Sequence, residues 1–197
     1  MISRYILLAS MVFSSFGAFS QDLVYDVYVR NKSVGEIKAQ CRSNSGVMSY
    51  YLESEVSYSL LFSFDYFYTI KTVFNENGLH EAEARNTVNN KLKAESFTRK
   101  DDAGYHISLL NDPQKVITKP ITYSMVSLYF KEPKGVDMVY SERYGEFLDI
   151  DKLEDHRYRL YLPDGREIVY NYENGNCVEI EVDHSLTTLY FKLREKS

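Results

Sequence analysis

Apolar and polar side chains alternate along much of this chain with a period of two. Val178, Ile180 and Val182 share one side of their segment, and Glu179, Glu181 and Asp183 the other. Ile168, Tyr170 and Tyr172 likewise share a face, as do Leu189, Phe191 and Leu193. Alternation of this kind predicts strands with one face on a core and one in water. Strands are expected over residues 23–30, 34–42, 47–58, 64–74, 79–89, 92–100, 105–110, 158–162, 166–172, 178–184 and 187–193. Asn31-Lys32-Ser33, Asn75-Glu76-Asn77-Gly78, Asp101-Asp102-Ala103-Gly104, Pro163-Asp164-Gly165 and Asn174-Gly175-Asn176 separate them. Asn, Asp and Gly accept the positive φ of tight hairpin turns. Connections this short make successive strands antiparallel neighbours.

One segment departs from the period. Over residues 121–130, Met125, Leu128 and Tyr129 recur at helical spacing, with Pro120 before and Pro133 after. A single short helix is expected there, between a larger N-terminal group of strands and a smaller C-terminal one. The fold class predicted is all-β and mainly antiparallel. It is a strongly curved meander sheet or open half-barrel, with the helix plugging one end.

The first twenty residues have a different pattern. Arg4 is followed by an apolar run over residues 6–13, then by Ala18-Phe19-Ser20, with Gln21-Asp22 opening the polar chain. Charged start, short apolar middle and small-residue exit predict a secretory signal peptide over residues 1–20, removed near Ser20-Gln21. The run is shorter than a bilayer requires. The expectation is therefore one β domain over residues 21–197, periplasmic or secreted, with no transmembrane segment in the mature chain.

Composition narrows the partners. The formal net charge is −5, and loss of Arg4 makes it more acidic, which argues against nucleic acid, whose binders need a basic face. Eighteen tyrosines and eleven phenylalanines suit pleated, half-buried surfaces. Export would permit a disulfide between Cys41 and Cys177. The pattern leans against one: Cys41 shares the inward face of Ile37 and Ala39, whereas Cys177 is out of phase with Val178, Ile180 and Val182.

Val34-Gly35-Glu36-Ile37, the aromatic stretch 64–74 with Asn77-Gly78-Leu79 after it, and Tyr123-Ser124-Met125-Val126-Ser127-Leu128-Tyr129 together resemble exported bacterial families of unknown function built as curved antiparallel β-meanders. The resemblance implies an exported half-barrel and no catalytic residue. The architecture is also similar to periplasmic lipoprotein carriers, whose open barrels hold acyl chains.

No chemistry-bearing motif stands out. His80, His106, His156 and His184 have no metal-ligand spacing, and no metal or cofactor is expected. Asp183-His184-Ser185 has the residue types of a hydrolase triad, but neighbours on a strand point to opposite faces. Glu81 and Glu83 share a face with Arg85, a spacing compatible with a carboxylate hydrolase but more simply a solvated stripe of charge. The outstanding anomaly is aromatic. Phe62, Phe64, Tyr66 and Tyr68 lie on one face of a strand, and with Tyr123, Met125 and Tyr129 of the helix they form a candidate apolar groove. The leading expectation is a non-enzymatic envelope protein that binds a lipid or other apolar small molecule in the concave face of its sheet. The alternative is a module for envelope assembly that meets a protein partner, and a hydrolase ranks last.

Overall fold

The computed structural model describes residues 18–59, 63–183 and 187–197. Most of the expected signal segment therefore lies outside the described residues. The described residues form a single antiparallel sheet of fourteen strands that does not close. The N-terminal group is β1 (Phe19–Val29), β2 (Lys32–Asn44), β3 (Val47–Ser59), β4 (Ser63–Asn75), β5 (Gly78–Val88), β6 (Lys91–Asp101), β7 (Gly104–Leu109) and β8 (Lys115–Ile117). The C-terminal group is β9 (Met138–Ser141), β10 (Glu146–Glu154), β11 (Arg157–Tyr161), β12 (Glu167–Glu173), β13 (Asn176–Val182) and β14 (Leu189–Lys196). Each group is a meander of neighbours in sequence. The seam between them is β1 against β14, so the order runs from β8 down to β1, then from β14 down to β9.

The all-β half-barrel read from the alternation is the fold observed. Strands β8, β9 and β10 had no counterpart in the pattern. The helical segment is shorter than 121–130: a 3-10 helix over Met125–Tyr129. The residues before it are committed elsewhere. Leu79 N–H donates to the Ile121 carbonyl (2.8 Å), Tyr140 N–H donates to the Tyr123 carbonyl (3.0 Å), and Ser124 bridges to Tyr140. Backbone already paired with strands cannot wind into a helix, so one turn remains.

The inner face carries two joined clusters. Leu23, Tyr25, Ile37, Leu52, Ile70 and Leu79 belong to the first, and Leu128, Val139, Ile150, Leu160, Tyr170 and Ile180 to the second. Tyr129 and Phe191 pack against both. The 3-10 helix is tied across this interior, where the Tyr172 hydroxyl donates to the Leu128 carbonyl (2.6 Å) and Tyr25 stacks edge-on against Tyr129 at 5.5 Å.

Both cysteines are free and buried. The phase assigned to Cys177 needs correcting. An extra residue on β13, Val178, shifts the register between Asn171 and Tyr172, sets Cys177 opposite Tyr172 and turns it inward with Ile180.

Candidate functional site

Along the inner face of β4, exposure falls steadily from one end of the strand to the other. Phe64 is 51% exposed, Tyr66 and Tyr68 are half-buried, and Ile70 is 3% exposed. The period of two places all four on one side, and the sheet's curvature closes over the Ile70 end first. Tyr66 lies opposite Val56 on β3 and Val88 on β5, both half-buried. Tyr68 lies opposite Ser54 and Asn86, both buried. Leu189 and Phe191 on β14 and Val182 on β13 are half-buried inner-face residues of the C-terminal group. Ser63 and Phe64 at the start of β4 are exposed, and the 3-10 helix packs against β3, β9 and β13.

The tyrosines are deep yet not sealed. Burial raises the phenols of Tyr66, Tyr68, Tyr129 and Tyr170 above their usual 10.0, and each lies close enough to another of the set to feel it: Tyr66 acts on Tyr68 and Tyr129, and Tyr129 and Tyr68 on Tyr170. Tyr66, Tyr68 and Tyr129 nevertheless keep accessible surface. We call this partly accessible aromatic surface on the inner face the recess, the candidate wall for a guest. The rings of Tyr66 and Tyr68 are 6.2 Å apart and tilted by 49°.

Of the residues read from sequence, the structure brings Tyr66, Tyr68 and Tyr129 together and puts Phe64 at their rim. Tyr123 and Met125 pack into the second cluster instead, and the Tyr123 hydroxyl donates to the Lys131 carbonyl. Phe62 lies outside the described residues, as do His184 and Ser185 of the triad-like tripeptide.

Two residues at the recess had no sequence signal. Glu142 and Arg143 sit in the turn from β9 to β10. Glu142 is buried, and its Oε1 accepts from the Val126 N–H (3.2 Å), supplying an acceptor at a helix start where Ser124 makes no side-chain cap. Its Oε2 has no hydrogen-bond partner among the described residues. Burial pushes its carboxyl up to about 7, against the hydrogen bonds that favour the charged form. Arg143 is half-buried, with its guanidinium 5.2 Å from the centre of the Tyr144 ring. Arg143 pulls the phenols of Tyr66 and Tyr68 back down against burial, so its charge reaches the recess.

A separate cleft of about 510 Å³ opens beside Glu132, Asp137, Asp151, His156 and Tyr158. The Glu132 carboxylate is buried there. It accepts from the Tyr158 hydroxyl (2.9 Å), lies 3.0 Å from His156 Nδ1 and pairs with Lys134 at 3.1 Å. Burial opposes its charge, but the bonds from Tyr158, Lys134 and His156 prevail and hold its pKa below the ordinary value. Glu132 thereby fastens the 131–137 link to β11. Glu81 and Arg85 are exposed on the outer face of β5, where Glu83 pairs with Lys71 and Arg85 with Glu95, a charged outer surface rather than a site. No group of three or more metal-ligating side chains forms among the described residues. No helix there is long and apolar enough to cross a membrane.

A family model described as "Domain of unknown function (DUF6134)" matches residues 25–194. The chain belongs to this family. The match covers the recess and both strand groups of this DUF6134 chain. Among solved structures, a crystal structure from Brucella abortus, titled as a beta-barrel-like protein of the domain of unknown function DUF1849, is similar. It shares 12% identity over 90% of this chain and 97% of its own, with a TM-score of 0.53. At that identity the likeness speaks for the barrel-like fold. No curated protein matches the DUF6134 chain.

Proposed function

We propose that this DUF6134 protein is an exported, non-enzymatic binding protein of the envelope space that holds an apolar or amphipathic small molecule in the concave face of its sheet. The gradient of exposure along β4, ending in half-buried Tyr66 and Tyr68 above the 3-10 helix, carries this reading. An interior meant only for stability would seal those rings, because each buried aromatic ring contributes to the core. Left accessible, they offer flat apolar faces and phenolic hydroxyls to a guest. Native mass spectrometry of the purified protein is expected to detect a bound molecule that organic extraction removes. Tyr68→Ala is expected to weaken rebinding of the extracted molecule about tenfold. A chain that carries no guest and takes none up would end the reading.

The sheet edges favour a second reading, an assembly module. Val116 on β8 and Met138 on β9, the two edge strands, are exposed. Crosslinking from these positions in intact cells would capture a specific protein partner under this reading and none under the first.

A further inference from the structure

The rim of the recess holds a cation with no counterion. Arg143 is half-buried, yet it forms no ion pair among the described residues, and the undescribed segments contain no Asp or Glu to supply one. Its neighbour Arg166 differs: Asp164 pairs with it at 2.6 Å and also accepts from the Tyr144 hydroxyl at 3.0 Å. That neutralises Arg166 and fixes Tyr144, against whose ring the Arg143 guanidinium rests. The turn itself is rigidly placed. A Cβ on Gly145 would stand 2.5 Å from Ile107 Cγ2, so backbone and β7 are already in close contact there.

We infer that Arg143 receives the anionic end of an amphiphile, a single carboxylate or phosphate on an alkyl chain whose tail lies along Tyr66 and Tyr68. The inference rests on the binding role proposed above and adds the class of ligand. A partly desolvated guanidinium without a carboxylate is costly to fold around. Its planar donors match a carboxylate or phosphate in two-point contact. A guest with such a headgroup offsets the cost and places its chain against the half-buried rings below. Glu142, the adjacent residue, makes no ion pair with Arg143; its Oε1 accepts from the Val126 N–H, and burial raises its pKa to about 7. More cationic side chains stand at the same end of the sheet: Arg30 and Lys32 line a shallow depression of about 310 Å³ with Val34 and Tyr58.

The test measures binding of dodecanoate, dodecyl phosphate, dodecanol and dodecyl ammonium to the extracted, full chain and to its Arg143→Gln and Arg143→Lys variants. The full chain is expected to bind at least one of the anions about tenfold more tightly than the alcohol, with the ammonium weakest. Arg143→Gln is expected to remove that preference while leaving the alcohol affinity within about twofold. Arg143→Lys, which keeps the charge and loses the fork, is expected to retain part of it. Preference for one anion over the other identifies the headgroup as carboxylate or phosphate. Equal binding of anion and alcohol, or a preference that survives Arg143→Gln, overturns the inference and leaves the binding role standing. Failure of every probe to bind overturns both.

Discussion

Sealed behind the aromatic recess, Glu142 is a carboxyl whose charged form the fold disfavours. Its ordinary pKa of 4.5 rises to about 7 on folding. The native state therefore holds a proton that the unfolded chain releases, and stability falls as pH rises between those values. That stability is fully present below pH 4.5 and is lost on passing through about 7. Denaturant titrations at steps across this window should find a loss of about 3 kcal/mol, and Glu142→Gln should flatten the slope. Tyr25 makes a smaller and simpler contribution. Its buried hydroxyl donates to the Cys177 carbonyl at 2.8 Å, joining β1 to β13 through the core. Tyr25→Phe should cost about 1 kcal/mol by thermal or denaturant unfolding. Both cysteines are buried and free, so the native protein should resist a thiol reagent and the denatured protein should titrate both thiols.

At the level of elements, β2 and β3 are in close backbone contact at Gly35. A Cβ there would stand 2.0 Å from the Glu55 carbonyl oxygen and 2.7 Å from Val56 Cα, both backbone atoms that cannot swing away. Gly35→Val should cost about 3 kcal/mol and lower the midpoint of thermal unfolding accordingly. Strands with a polar outer face, such as β4 and β13, were readable from alternation because burial imposes it. Strand β10 was not: Glu146, Asp149, Asp151, Lys152 and Glu154 crowd its residues, and only Leu148 and Ile150 are buried. Cys177 misled for a related reason, since an extra residue on its own strand, Val178, resets the phase between Glu179 and Cys177 without any signal at the cysteine itself. The aromatic run of β4 was visible because five rings in one strand are unusual. Which rings meet Tyr129, and which of the helix residues turn away, depends on the 121–124 backbone pairing with distant strands. Arg143 and Glu142 gave no local sign at all, because an unpaired cation and a sealed carboxyl are defined by what surrounds them.

For the whole molecule, the two meanders are held as one sheet by the ladder between β1 and β14. Arg194 reinforces it across the outer face, reaching Asp26 at 2.8 Å and Glu36 at 3.1 Å, though exposed pairs such as these add little by themselves. Removing residues 189–197 should leave the inner strand β1 with a bare edge. The shortened chain should aggregate or lose its single cooperative transition, as followed by light scattering and calorimetry.

The same ladder sets a timetable. Asp26 and Arg194 are 168 residues apart in the chain, so the central pairing of the sheet can form only after nearly all of it has been synthesised. Closing so long a loop is slow, whereas every other ladder of the sheet joins strands adjacent in sequence. During synthesis the N-terminal strand waits without its partner. The two meanders become one continuous sheet only when the last strand arrives.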